Sequence, residues 1–198
     1  YVNSTNEIMQ ITGYITCGYV ATCAPCSSSY LVVNGDFGNG YDKNNPDFSS
    51  QYDNNIGSTY SSIAAGEMLV TQMSNVHTNE GFVCSDHTPT GNDMALIFRS
   101  GYPQKNMIWA NTYAVQPNKN YIFEAWFSSN GDVSSVPVGL ALQGRGGLKV
   151  TTNQSVSVGV CTWTKYTYTV NSGNEIYISI QLECYAQSGA YVFVEDIS

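Results

Sequence analysis

Glu175-Ile176-Tyr177-Ile178-Ser179-Ile180-Gln181-Leu182 decides the fold: Ile176, Ile178, Ile180 and Leu182 share one parity, while Glu175, Ser179 and Gln181 fall on the other with Tyr177. A period of two is the signature of a strand with one buried face. The same alternation runs through the rest of Asn174–Ser198 and through Leu31–Phe37. A helix would need apolar residues three and four apart over ten or more positions. The nearest window, Ser61–Met73, contains Gly66, which weakens a helix interior. The fold class expected is all-β, a β-sandwich.

Working outward, further candidate strands are Leu31–Val33, Glu67–Met73, Met94–Arg99, Met107–Val115, Tyr121–Phe127, Pro137–Leu142, Lys165–Val170, Glu175–Cys184 and Ala190–Ile197. Turn signals separate them: Asn34-Gly35, Pro103, Pro117-Asn118, Asn130-Gly131-Asp132, Gly144–Gly147 and Asn171-Ser172-Gly173. Gly38–Val70 is an oversized connection, rich in Asn, Asp, Ser and Tyr, of a length that is usually functional or partly disordered. Two parts emerge. Residues 1–29 form an N-terminal extension that ends in Cys23-Ala24-Pro25-Cys26 and serines, and residues 30–198 form the sandwich domain.

Length and charge narrow the function classes. The 198 residues suit one large all-β domain plus an extension. Charged residues are only 11% of the chain, and fifteen acidic against seven basic residues give a net charge of -8. With no Lys/Arg cluster, a phosphate backbone is repelled and nucleic acid is not an expected partner. No run of 18 apolar residues is present, so no helical membrane span is expected. With neither an initiator Met nor a charged-then-apolar opening segment, the chain is expected to be a processed mature protein, secreted or displayed at the cell surface.

Six cysteines, Cys17, Cys23, Cys26, Cys84, Cys161 and Cys184, read in an oxidising compartment as up to three disulfides. Each correct bridge stabilises by roughly 2–4 kcal/mol. The pairing is not legible. Cys23-Ala24-Pro25-Cys26 has the spacing of a redox pair but lacks the βαβ context that lowers a thiol pKa, so a structural bridge is the expectation. His77 and His87 with Cys84 are candidate transition-metal ligands, against the reading that both histidines lie in loops.

Enzymatic apparatus is not visible. The chain has no His-Glu-x-x-His, no Gly-x-Ser-x-Gly, no phosphate-binding glycine loop and no paired carboxylates of the Glu-x-Asp-x-x-Glu kind. A non-catalytic protein is expected, with no required cofactor.

Leu31-Val32-Val33-Asn34-Gly35-Asp36-Phe37 resembles the opening strand of galactose-binding-like β-sandwiches, the jelly rolls that include many carbohydrate-binding modules of secreted bacterial proteins. Asp86-His87-Thr88 with Gly91-Asn92, Ile108-Trp109, and Val115 with Pro117–Phe123 follow in the order of its central sheet. Thr162–Tyr166 and Tyr191–Ile197 match its last strands. The resemblance covers residues 31–198. It implies a jelly roll, which hosts adhesion, glycan binding and passive structural roles alike. It also implies a structural calcium clasped by Asp36 and Asp196, although Gly38 stands where such modules often carry a carboxylate; solvated turn aspartates are the alternative.

Glycan binding needs aromatic faces and amides or carboxylates in a largely preformed cleft. Trp109, Trp126 and Trp163 sit in strand patterns and are expected in the core. Among fifteen tyrosines, Tyr41, Tyr52, Tyr60 and Tyr102 lie in turn-prone sequence and are the candidate ligand-binding residues. Asn3-Ser4-Thr5 and Asn153-Gln154-Ser155 fit the N-glycosylation acceptor pattern.

The extension calls for an account of its own. Met9, Ile11, Ile15, Cys17 and Tyr19 share a parity, interrupted at Gly13-Tyr14. Burying such side chains contributes about 1.5–3 kcal/mol each, while fixing each backbone costs about 1–2 kcal/mol. Burial alone loses, so the segment needs a sheet edge to pair with. If the edge belongs to a neighbouring copy, the contact is head-to-tail and, where it does not close into a ring, propagates as a filament; if it belongs to the segment's own domain, the strand merely widens the sandwich. The leading expectation is a self-assembling extracellular subunit joined by strand addition, with copies of itself as partner. The alternative is a monomeric carbohydrate-binding or adhesion module with glycans as partner.

Overall fold

The parity read from the sequence turns inward in the structure, a computed structural model that describes residues 32, 35–41, 47–54, 63–76, 84–87, 93–100, 107–131, 133–185 and 189–198. All of these fall within one unit, Val32–Ser198. Among the described residues the strands are β1 (Asp53–Asn54), β2 (Glu67–Gln72), β3 (Met94–Arg99), β4 (Met107–Ala114), β5 (Asn120–Ser129), β6 (Ser135–Gly144), β7 (Lys149–Ser157), β8 (Thr164–Asn171), β9 (Tyr177–Cys184) and β10 (Tyr191–Glu195). They form a six-stranded sheet, β1-β2-β3-β10-β5-β8, and a four-stranded sheet, β4-β9-β6-β7. Among these strands only the two-residue β1 pairs in parallel, with β2. The result is a jelly-roll β-sandwich.

Even-numbered residues of β9 and β6 face the sandwich interior: Ile178 and Leu182 pack with Val138, Leu140 and Leu142 in the main core. From the opposite sheet come Phe123, Ala125 and Phe127 of β5 and Val192 and Val194 of β10. Phe127 is fully buried, so truncating it to Ala would cost about 3–5 kcal/mol. The opening motif enters here too. Phe37 is buried at a φ of 56°, and the Ile197 N–H donates to the Gly35 carbonyl at 2.9 Å. Any Cβ on Gly35 would collide with the Ile197 carbonyl oxygen, which is why glycine stands there.

The outer face of the six-stranded sheet carries a second cluster. Leu69, Ala95, Ile97 and Phe193 point away from the main core and are covered by Ile63, Met73, Val76 and Cys84. Cys84 is bonded to Cys161, which ties the 84–87 segment to the turn ahead of β8.

Several expectations change. Lys149–Ser157 is a strand that the sequence reading missed: its outward residues are polar and even its inward parity contains Thr152 and Gln154. The Gly38–Val70 connection is partly structural, since Phe48 and Tyr52 join the core and Ser49 pairs with Ala110. Trp109 is a core residue as expected, but Trp126 and Trp163 lie on the outer side of the six-stranded sheet and are half-buried. Met9, Ile11, Ile15, Cys17, Tyr19, Cys23, Cys26, Tyr60, His77 and Tyr102 lie outside the described residues.

One hairpin is pinned from outside its own strands. The buried carboxylate of Glu175 accepts the N–H groups of Gly146 at 2.7 Å and Leu148 at 2.8 Å, which fixes the turn between β6 and β7. Those backbone hydrogen bonds hold its carboxyl below the usual carboxylate range. Gly144 has no side chain because that carboxyl group occupies the space.

Candidate functional site

With the even residues of β9 committed to the core, the odd ones stand on the outer face of the four-stranded sheet. These are Tyr177, Ser179, Gln181 and Glu183, continued past the strand end by Tyr185. Tyr177 is 48% exposed and Tyr185 41%, values that belong to surface platforms rather than core tyrosines. At about 3.3 Å per residue the row is roughly 26 Å long. β9 is flanked on both sides by paired strands, so its backbone is satisfied and the row is rigid.

Register places small residues beside it. Gln181 is level with Ala110 of β4 and Ala141 of β6, and Glu183 with Gly139. Ser179 is level with Thr112 and Gln143, and the Thr112 and Ser179 hydroxyls are 2.8 Å apart. The floor is therefore low on the β6 side, at Gly139 and Ala141, and at Ala110 on the β4 side, where Met107 is level with Glu183; amides and hydroxyls rise from it. At Gly139 a Cβ would stand 3.1 Å from Tyr185 Cε2 and 3.2 Å from a Glu183 carboxylate oxygen. The absent side chain lets the Tyr185 ring settle there, where its hydroxyl donates to Glu183. That hydrogen bond to the carboxylate, with burial second, pushes the Tyr185 phenol up to about 12. Tyr185 is thus a locked, half-open aromatic surface beside an anionic acceptor.

A second polar cluster lies on the other sheet. The His87 ring stacks on Trp126 with centroids 3.6 Å apart, and Nδ1 is 2.9 Å from Asp196 Oδ2. The His87 N–H donates to Glu195 at 2.9 Å, and Trp163 Nε1 donates to the Ser85 carbonyl at 3.0 Å. Lys165 lies 5.4 Å from the Trp126 centroid and pairs with Glu124 at 2.8 Å. Glu195 is only 1% exposed. Burial first, then its hydrogen bond to Asp86, push its carboxyl up to about 9. The aromatic faces of this cluster are turned onto one another rather than left open.

The residues singled out from sequence distribute unevenly. Tyr52 is buried with its ring against Phe98, and Tyr41 is half-buried against Phe48, so neither is an open platform. Cys84 is in a disulfide, which removes it as a metal ligand for His87. Cys184 is buried in the main core. Asp36 is exposed and accepts the Gly38 N–H at 3.1 Å, while Asp196 faces His87. Their backbones run close through Gly35 and Ile197, yet among the described residues no group of three or more His, Cys, Asp and Glu is placed to hold a metal ion. Among the described residues, no helix is long and apolar enough to cross a membrane.

No protein-family model matches the sequence, and no curated protein matches it. Solved structures share the architecture. A cyclase from Fischerella sp. TAU, in complex with 4-(1H-indol-3-yl)butan-2-one, is 13% identical with a TM-score of 0.56, over 84% of this chain and 93% of that one. The enzymatically active domain of tailspike protein 4 from bacteriophage CBA120 is 11% identical with a TM-score of 0.50, over 84% of this chain and 20% of that one. A family 16 carbohydrate-binding module is 16% identical with a TM-score of 0.49, over 85% of this chain and 97% of that one. At such identities likeness speaks for the fold alone: this chain has a jelly-roll β-sandwich.

Proposed function

We propose that the chain is a non-catalytic carbohydrate-binding module of a secreted or cell-surface protein, holding an extended, neutral polysaccharide along β9. The observation that carries this reading is the outward row Tyr177, Ser179, Gln181, Glu183 and Tyr185 beside the low floor of Gly139 and Ala141. A pyranose ring has an apolar face that packs on an aromatic ring and a rim of hydroxyls that need directional partners. Tyr185 and Tyr177 supply the first at either end, and Gln181, Gln143 and Glu183 supply the second between them. A net charge of -8 disfavours uronate-rich or sulfated chains, so a neutral polymer is the better match. The disulfide Cys84–Cys161 suits an oxidising compartment. Filament formation by strand addition depends on residues 9–19, which lie outside the described set.

Affinity electrophoresis through gels containing soluble neutral polysaccharides tests the reading. Retardation by at least one of them is expected, and Tyr185→Ala should weaken it about 5- to 10-fold, the equivalent of roughly 1–1.5 kcal/mol of lost stacking. Migration unchanged across glucans, mannans, xylans and galactans would dispose of it.

A further inference from the structure

Next to this face lies a modification motif that glycan binding does not absorb. Asn153-Gln154-Ser155 is an N-glycosylation acceptor sequence, with Gln rather than Pro in the middle. Among the described residues β7, which carries it, is an edge strand of the four-stranded sheet, paired only with β6. Asn153 and Ser155 have the outward parity, and both are exposed. Asn153 is level with Gly139, which in turn is level with Glu183. The Asn153 amide therefore stands at the rim of the row that ends in Tyr185, two strand spacings from β9, or about 9–10 Å. The residue between is glycine, and the Tyr185 ring lies over it.

We propose that Asn153 is an N-glycosylation site, and that an oligosaccharide attached there covers the polysaccharide-binding face. The proposal rests on the glycan-binding reading for its consequence but not for the modification itself. The donor is a polyprenyl-diphosphate-linked oligosaccharide handled by a membrane-bound transferase. The Asn153 Nδ2 attacks the anomeric carbon of the first sugar, the bond from that carbon to the diphosphate oxygen breaks, the amide loses one proton to a base, and the polyprenyl diphosphate leaves. No oxidant or reductant is involved. The folded strand accommodates the product, since the side chain already points to solvent from an edge. The attached sugar is bulky and tethered, so it meets the Gly139–Tyr185 floor as a covalently held neighbour at high effective concentration, and free polysaccharide must displace it.

The test compares the full chain secreted from a eukaryotic host that performs N-glycosylation with the same chain made in a host that does not. Intact mass before and after peptide N-glycosidase treatment, with peptide mapping of the Asn-to-Asp conversion, reads occupancy at Asn153. Ser155→Ala should abolish that occupancy while keeping Asn153, and Ser155→Thr should preserve it. In affinity electrophoresis, secreted wild-type and Ser155→Thr protein should bind neutral polysaccharide at least tenfold more weakly than secreted Ser155→Ala protein. An unmodified Asn153 in the secreted chain overturns the proposal, and so does a modified chain that binds as tightly as Ser155→Ala. If the unglycosylated chain is itself retarded by no polysaccharide, the binding face is refuted and the masking falls with it. Occupancy at Asn153 would still be read independently by mass.

Discussion

Replacing Glu195 by Gln should make the protein more stable at neutral pH and no more stable in acid. Glu195 closes β10 with 1% exposure, accepts the His87 N–H at 2.9 Å and is hydrogen-bonded to Asp86. Its carboxyl is pushed from 4.5 up to about 9, so across that window the folded chain keeps a proton that the unfolded chain releases. Folding then binds the extra proton, and stability must fall as pH rises through the window, levelling above about 9. Each unit of that window corresponds to about 1.4 kcal/mol, so at pH 7.5 the ceiling on the penalty is roughly 4 kcal/mol. Glutamine keeps the oxygen that serves His87 and replaces the acid proton with an N–H directed at Asp86. It removes the titration without removing the contacts. Urea denaturation from pH 4.5 to 8.5 should show the wild type losing stability and the variant holding level. At pH 7.5 the gain would raise the midpoint of thermal unfolding by up to about 8–16 °C for a chain of this size. Parallel pH profiles for the two proteins, or a variant less stable at pH 7.5 by the amount it loses at pH 4.5, would refute the reasoning.

Gly139→Val should displace Tyr185, whose Cε2 lies 3.1 Å from where a Cβ would stand, and reduce polysaccharide binding at least tenfold while far-UV circular dichroism stays that of the wild type. Cys161→Ser should lower the unfolding free energy by about 4 kcal/mol in chemical denaturation, because the Cys84–Cys161 bridge closes a separation of 77 residues. Glu175→Gln should speed hydrogen exchange at the Gly146 and Leu148 amides. Because the Glu175 pKa is lowered, its contribution is present above the unfolded value and lost as pH falls through the folded one, so the variant should show a shallower loss of stability in acid. Millimolar calcium should leave the melting temperature within about 1 °C; a rise of several degrees would show that Asp36 and Asp196 close on the ion despite their present partners.

Strands with an apolar inward parity were legible, and those without one were not. Glu175–Leu182 declared itself because Ile178 and Leu182 had to be buried and could be buried only together. Ile176, on the same parity, is 61% exposed because it precedes the strand, a boundary that alternation does not mark. β7 lacks the signal, since an edge strand lying mostly in water can use Thr152 and Gln154 where an interior strand needs valine or leucine. β1 pairs through two residues only and leaves no period to read. The tryptophans misled for a related reason: a strand pattern identifies a face that is covered, not which layer covers it. Trp126 is shielded by His87 from a loop on the outer side, where no strand parity reports.

The candidate site lies in the stretch that decides the fold, on the parity that faces water. Tyr177, Ser179, Gln181 and Glu183 read as a solvated face, and a solvated face is where polar residues are expected, so nothing in their polarity drew notice. Turn-prone tyrosines are the platforms a sequence offers, because loops carry function. Burial reversed that inference for Tyr52, whose ring packs on Phe98. The usable signal was an aromatic at each end of an outward row, eight positions apart, since water alone selects no tyrosine at Tyr177 and again at Tyr185. What made Tyr185 a fixed surface is Gly139, 46 positions earlier in the chain and brought level only by the β6–β9 register. A residue whose contribution is the space it leaves open has no local pattern, and its meaning arises only when the two strands are laid side by side.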